Sequence, residues 1–339
     1  MKVSYWYNNR DIRITEEPVP EPRPQEMLIK VHACGICGSD IVEWYRLPRA
    51  PLVQGHELVG EVVQVGSAVK KFKPGDRVVL APKVPCMDCY YCRKGHYPQC
   101  SQVKERLPGG FAEYVLAPGQ LVDKGAFHLP EHVTYDQGTF IEPLACVIRA
   151  LRLADLQPGQ KVLVLGCGMS GLLTVKYAKE RSAKVLAADI NEKRLEKAGE
   201  AGADYTVNAE SDLASFMLEQ NGRKADLVML CTSALPAVEQ AWQCLDKGGA
   251  VVFFAVPDPD KQIVVPINEF WRQEIRILTS YYCGPKDLSE AFELISSGRI
   301  EVENIITHVL PLNEIQKGFN LAMEGKDSLK VIIRPNEWK

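Results

Sequence analysis

The sequence predicts an α/β chain: a doubly wound parallel sheet preceded by a β-rich region that carries a metal-binding loop. Three observations predict it. From Lys161 onward, buried-strand patterns alternate with helical ones. A glycine-rich turn, Gly166-Cys167-Gly168-Met169-Ser170-Gly171, joins the first such strand to the first such helix. Four cysteines, Cys86, Cys89, Cys92 and Cys100, crowd one short loop upstream of both.

The first third reads as short strands separated by turns. Met27–Val31 follows the Pro-rich turn 18–24, and Leu58–Val65 is a second apolar, β-branched run. Lys73-Pro74-Gly75-Asp76 is a turn before the strand Arg77–Leu80, and Gly109–Val115 re-enters a strand after the cysteine loop. The texture changes near Glu142, where Pro143–Leu153 reads as a helix. Strands then follow at Lys161–Leu165, Lys184–Ala188, Asp226–Leu230, Ala250–Val256 and Arg276–Tyr281. Between them lie helices that include Gly171–Arg181 and Asn191–Ala201. Past Gly284-Pro285, the helix Lys286–Ser297 and the strand Leu329–Ile333 read as a return to the first domain. The expected domains are 1–148, 149–284 and a returning segment, 285–339.

The glycine turn carries the first functional signal. Its spacing, after a strand and opening a helix, is that of a dinucleotide fingerprint. Gly166, Gly168 and Gly171 permit the tight turn and close approach, while the helix N-terminus at Met169 and Ser170 offers N–H groups to a pyrophosphate. The second strand ends at Asp189, where a carboxylate accepts hydrogen bonds from an adenosine ribose and repels a 2′-phosphate. NAD is therefore expected over NADP. Arg194 is placed either over the adenosine or on a solvated helix face.

The cysteine loop carries the second. Its spacing, Cys-x2-Cys-x2-Cys-x7-Cys, closes a tetrahedral zinc shell with no open position, so this zinc is expected to be structural. A bacterial ferredoxin cluster would place its fourth cysteine after three residues and follow it with proline; here the gap is longer and Ser101 follows. Metal chemistry must then lie elsewhere. Cys34-Gly35-Ile36-Cys37-Gly38-Ser39-Asp40 and Gly55-His56-Glu57 supply a thiolate and an imidazole. Glu57 or Glu142 could complete that set, and Cys34 with Cys37 also reads as a redox dithiol.

Composition excludes other classes. A net charge of −3 argues against nucleic acid or an anionic membrane as partner. The start lacks a signal peptide's apolar core, and no apolar run is long enough to span a bilayer. Of the 11 cysteines, the seven outside the cluster are scattered along the chain, which fits reduced thiols in a cytoplasm.

Taken together, these segments resemble the zinc-dependent medium-chain dehydrogenases, the superfamily of alcohol, sorbitol and threonine dehydrogenases. The resemblance runs nearly end to end. It is carried by residues 34–40 and 55–57, the cysteine lobe, Phe111-Ala112-Glu113-Tyr114, Ile141-Glu142-Pro143-Leu144 and the glycine turn. It implies a GroES-like catalytic domain beside a Rossmann domain, and two zinc ions per chain. It implies that Cys37 and His56 are ligands of a catalytic zinc while Cys34 is not. Glu142 resembles the glutamate that, in the polyol-dehydrogenase branch, replaces the third zinc-ligand cysteine of the alcohol dehydrogenases, and Glu57 is either a direct ligand or an adjacent exchange partner. Ser39 resembles the hydroxyl that passes the substrate proton onward, and Lys330 a basic residue near the pyrophosphate. The implied reaction moves hydride between NAD and a secondary alcohol, with a polyol, sugar alcohol or cyclitol as substrate. The implied assembly is a homo-oligomer, tetramer or dimer.

Two departures bear on the substrate and the proton. The relay histidine of many relatives is Val42 here, which leaves Ser39, the cofactor ribose, water or Glu43 as the exit. The Arg-Tyr pair of sorbitol dehydrogenases is replaced by Tyr281-Tyr282. Arg46 and Arg49 are expected on a solvated loop, with phosphate or carboxylate binding the alternative. Phosphorylated-polyol and threonine-type dehydrogenases stay open as alternatives. A non-catalytic zinc protein would want a basic face and no cofactor fold, and a zinc-free reductase would lack the Cys37, His56 and Glu142 set.

Overall fold

A computed structural model describes residues 1–103 and 105–337. The chain divides into two compact units, Met1–Ala145 with Cys283–Lys339, and Cys146–Tyr282. The breaks fall a few residues before the expected 148 and 284.

The second unit is a six-stranded parallel sheet. Its strands run Tyr205–Asn208, Lys184–Asp189, Lys161–Leu165, Ala225–Leu230, Leu245–Phe253 and Arg276–Thr279 across the sheet. Val162, Leu163, Val164 and Leu165 are all buried, as befits a central strand covered by helices on both faces. That strand pairs with the second strand on one side and the fourth on the other. The order therefore reverses at its carboxyl end, the place where doubly wound sheets bind ligands. Tyr205–Asn208 was not expected from the sequence. It is a four-residue edge strand whose burial alternates, so it lacks the continuous apolar run that marks the others.

The first unit holds a seven-stranded sheet around Met27–Gly35, flanked on one side by Glu57–Val65 and on the other by Lys330–Arg334. A three-stranded sheet of Asp11–Glu16, Lys2–Asn8 and Leu52–Val53 lies beside it. Trp6, Phe111 and Phe319 are among the largest fully buried side chains, each worth about 2–3 kcal/mol of burial. Register positions the functional residues. Gly35 stands opposite Glu57 on one neighbour and opposite Ile332 on the other. Both pairings are antiparallel, so Cys37, His56, Glu57 and Lys330 converge past one end of the sheet.

Gly35 matters for its missing side chain, since a Cβ there would overlap both the Glu57 carboxylate and the Lys330 ammonium. Both groups are fully buried and have nowhere to retreat. Gly35→Ala is therefore expected to break the pair and destabilise the protein by about 3–5 kcal/mol, the usual cost of stranding a buried charge. Urea unfolding measures it; a midpoint equal to wild type would refute the packing argument.

Candidate functional site

The four-cysteine lobe is built by backbone turns. Cys86, Cys89, Cys92 and Cys100 place all four Sγ atoms within 4.8 Å of one another. The Cys86–Cys92 and Cys89–Cys100 Sγ separations are 3.9 Å, too long for disulfides. Thiolates about 2.3 Å from a tetrahedral zinc stand about 3.8 Å apart, so the shell fits one such ion and is too tight for a multi-iron cluster. Backbone N–H groups of Asp88 and Cys89 point at Cys86 Sγ, and that of Cys86 at Cys100 Sγ. Backbone donors from Cys92 and Ser101 pull Cys89 down to about 6, favouring its thiolate. Burial and the neighbouring sulfurs Cys89 and Cys100 push Cys92 up to about 12. The backbone donors thus favour the thiolate at Cys89, whereas Cys92 favours its thiol until a cation binds.

The second cluster is Cys37, His56 and Glu57, whose candidate ligand atoms also lie within 4.8 Å of one another. Cys37 caps the short 3₁₀ turn Gly38–Ile41. Its Sγ accepts the Ser39 N–H at 3.4 Å, and its own N–H donates to Asp40 Oδ2 at 3.1 Å. His56 turns Nδ1 toward Asp40 Oδ1 at 3.4 Å, which leaves Nε2 for a metal. Burial opposes charge on His56, but the Asp40 carboxylate and Cys37 outweigh it and hold its pKa well above the ordinary value. Burial likewise works against the Asp40 carboxylate, and His56 and Arg46 outweigh it to keep its pKa low.

Glu57 tests whether this cluster fits a metal. Its Oε2 is bonded to the Lys330 ammonium, while its buried Oε1 has no hydrogen-bond partner among the described residues. An orphaned buried carboxylate oxygen beside a thiol and an imidazole is a donor set that Zn²⁺ would satisfy. Glu142, the other candidate ligand, is buried in the first turn of the helix Ile141–Leu153 and belongs to a different group, with a carboxylate oxygen within 4.8 Å of Cys283 Sγ. The structure therefore brings Glu57, not Glu142, to Cys37 and His56. Cys34 is buried and packs where Cβ atoms on Gly55 or Gly110 would strike it, apart from that donor set.

Lys330 departs from the expectation of a cation offered to a pyrophosphate. It is fully buried, paired with Glu57 and set over the Phe140 ring at 5.3 Å. A carboxylate as deep as Glu57 needs a countercharge, and Lys330 supplies it. Glu43 accepts the Asn9 N–H at 2.9 Å and is committed to that turn. Arg46 also departs from expectation. Its side chain is 11% exposed and bonded to Ser39 and Asp40, whereas Arg49 stays exposed and stacks on Tyr45. Asp40 and Arg46 are the groups that sequence reasoning undervalued. The Ser-Asp pair following Cys37 was the available signal for Asp40, since such residues cap turns.

In the second unit, Gly166 has φ 93° and Gly168 caps the helix Met169–Glu180. A Cβ on Gly171 would collide with the Gly166 carbonyl, so the helix packs on the turn only through glycine. A Cβ on Gly168 would meet only Arg194 Nη1, at 4.0 Å, so open space lies above the turn. Asp189 ends the second strand; Oδ2 accepts the Cys167 N–H at 2.7 Å and Oδ1 that of Asn191 at 2.9 Å. Arg194 turns back toward it, with Nη1 3.7 Å from Oδ2. The turn, the N-terminus at Met169 and Ser170, and the carboxylate form a cradle that fits a dinucleotide.

Known proteins resemble this chain over nearly its whole length. Residues 23–129 match a family model described as the alcohol dehydrogenase GroES-like domain. Residues 171–297 match one described as zinc-binding dehydrogenase. A zinc-type alcohol dehydrogenase-like protein of Escherichia coli K12, YdjJ, is 33% identical over 95% of each chain. Sorbitol dehydrogenase of Mus musculus is 32% identical over 96% of this chain and 94% of its own. A zinc-binding dehydrogenase of Sinorhizobium meliloti 1021, solved with NADP, superposes with a TM-score of 0.87 at 30% identity, over 98% of this chain and 99% of its own.

Proposed function

Because the chain belongs to the zinc-dependent medium-chain dehydrogenases, in their polyol-dehydrogenase-like branch, we propose that it interconverts a secondary alcohol and a ketone with NAD. The substrate class is a polyol, sugar alcohol or cyclitol. The observation that carries this reading is the Cys37–His56–Glu57 donor set with its orphaned carboxylate oxygen. When bound, zinc supplies Lewis acidity to the alcohol oxygen and the nicotinamide accepts the hydride. Cys37, His56 and Glu57 hold the metal; Asp40 fixes the imidazole tautomer from behind. Ser39 takes the hydrogen bond of the substrate hydroxyl. The balance is alcohol plus NAD⁺ to ketone, NADH and a proton.

The second zinc sits in the cysteine lobe and is structural. Asp189 selects NAD, because a 2′-phosphate there would meet a buried carboxylate. Arg46 is committed to internal partners, which removes one candidate phosphate holder and favours an unphosphorylated substrate. The sheet edge Arg276–Thr279, with Ile277, Ile267, Trp271 and Val264 exposed nearby, suits pairing with a second copy. Among the described residues no helix is long and apolar enough to cross a membrane, and we place the enzyme in the cytoplasm.

A panel of secondary alcohols, polyols, phosphorylated polyols and cyclitols, assayed for NADH and NADPH formation, tests the reading. At least one unphosphorylated secondary alcohol is expected to turn over with NAD, at a kcat/KM at least about tenfold above that with NADP, the effect of one unfavourable charge contact. Comparable values with both cofactors would refute the role given to Asp189.

A further inference from the structure

We propose that Arg46 is a positioning residue for hydride transfer, holding the Ser39 hydroxyl and the Asp40 carboxylate in working geometry. The inference rests on the functional reading above, because it gives Arg46 a task at the same Cys37–His56 site.

The geometry is specific. Arg46 Nη2 donates to Ser39 Oγ at 2.9 Å and lies 2.9 Å from Asp40 Oδ1; its Nε donates to the Ser39 carbonyl at 2.9 Å. The guanidinium stacks 5.0 Å from the Tyr45 ring centroid, which fixes its plane. Asp40 is fully buried, and besides Arg46 it takes the Cys37 N–H and faces His56 Nδ1. One cation thus ties together the hydroxyl, the backbone of the Cys37 turn and the carboxylate behind the imidazole.

This arrangement limits what Ser39 can do. A hydroxyl has one donor and two acceptor lone pairs. Arg46 fills one lone pair and the O–H donates to Cys37 Sγ at 3.4 Å, leaving one lone pair to accept from a substrate hydroxyl. Without Arg46 the hydroxyl rotor is free to spend its lone pairs on water. Arginine stays protonated and cannot itself carry the proton, so its part is orientation. Val42, nearby in the same turn, has no polar group to share the task. The three-bond fork is also beyond lysine, whose single ammonium cannot match a planar guanidinium.

The test uses zinc-loaded full-length enzyme: wild type, Arg46→Ala, Arg46→Lys, Ser39→Ala and the Ser39→Ala/Arg46→Ala double variant. Arg46→Ala is expected to lower kcat by about 10–100-fold with KM nearly unchanged, and to release zinc to a chelator at least about tenfold faster, as loss of supporting hydrogen bonds does elsewhere. Added guanidinium is expected to restore part of kcat. In the Ser39→Ala background, Arg46→Ala is expected to cost clearly less kcat than it does alone, because part of its effect on turnover passes through Ser39 and only the rest through Asp40. Arg46→Lys is expected to keep the fold and still lose at least about tenfold in kcat, which carries the test if the alanine variant does not fold. Wild-type kcat and zinc release in Arg46→Ala, wild-type kcat in Arg46→Lys, or fully additive losses in the double variant would each overturn the proposal. If wild type itself oxidises no alcohol, the functional reading fails; faster zinc release from Arg46→Ala would still support the link to His56, and unchanged release would overturn it.

Discussion

Replacing Cys37 with serine is expected to abolish turnover, by about a thousandfold or more, while the purified protein keeps its fold. The magnitude follows from metal polarisation of an alcohol being worth several kcal/mol, at about 1.4 kcal/mol per tenfold in rate. A serine hydroxyl does not ionise near neutrality, so the site would lose its only soft anionic donor. The fold is spared because Cys37 is only half buried and its sulfur accepts from Ser39 of its own turn. His56→Ala should behave alike, with Asp40 still held by Arg46. Steady-state assays and metal analysis decide it: full activity in either variant, with the fold intact, would sink the site assignment.

The pKa of His56 adds a pH signature to that experiment. In the metal-free protein its raised value keeps the ring protonated into the neutral range, paired with Asp40. The sign follows: this pairing stabilises the metal-free fold below the unfolded histidine value and fades as pH rises through the folded one. Zinc needs the neutral ring, so zinc affinity at this site should fall as pH drops and the metal-free protein should gain in relative population.

What the sequence disclosed and what it withheld divide along chain distance. The fingerprint Gly166–Gly171 and the lobe Cys86–Cys100 are local, so spacing alone carries their chemistry. Which glutamate joins Cys37 and His56 depends on pairing register. Residue types leave Glu57 and Glu142 both open and the family resemblance points to Glu142, but the antiparallel register opposite Gly35 brings Glu57 beside Cys37. The Glu57–Lys330 pair spans 273 residues and left no local trace. The family resemblance implies a place for Lys330 beside the cofactor, but the buried Glu57 carboxylate takes it as countercharge instead. Arg46 departs from expectation for another reason: arginine is usually exposed, and here a short helical turn folds it back onto residues six and seven positions earlier.

The lobe gives the other large effect. Cys100→Ser is expected to reduce zinc from two ions per chain to one, lower the melting temperature and open the segment 86–103 to proteases, with kcat for the remaining folded enzyme little changed. The lobe has almost no core of its own. Met87, Tyr90 and Tyr91 are exposed, and of its four cysteines only Cys92 is buried. On the proposed reading a zinc ion holds it; such binding in zinc-finger peptides is worth about 10–16 kcal/mol, so losing one of four ligands removes on the order of 3 kcal/mol. Acid should mimic the substitution. With Cys89 held near 6 and Cys92 near 12 in the metal-free lobe, zinc must displace protons to bind. Its affinity therefore falls as pH drops, and chelators should strip the lobe faster at pH 5 than at pH 8, a comparison that metal analysis reads directly. An unchanged melting temperature with two zinc ions still bound would mean that Cys100 is no ligand, and that the lobe is held by its turns alone.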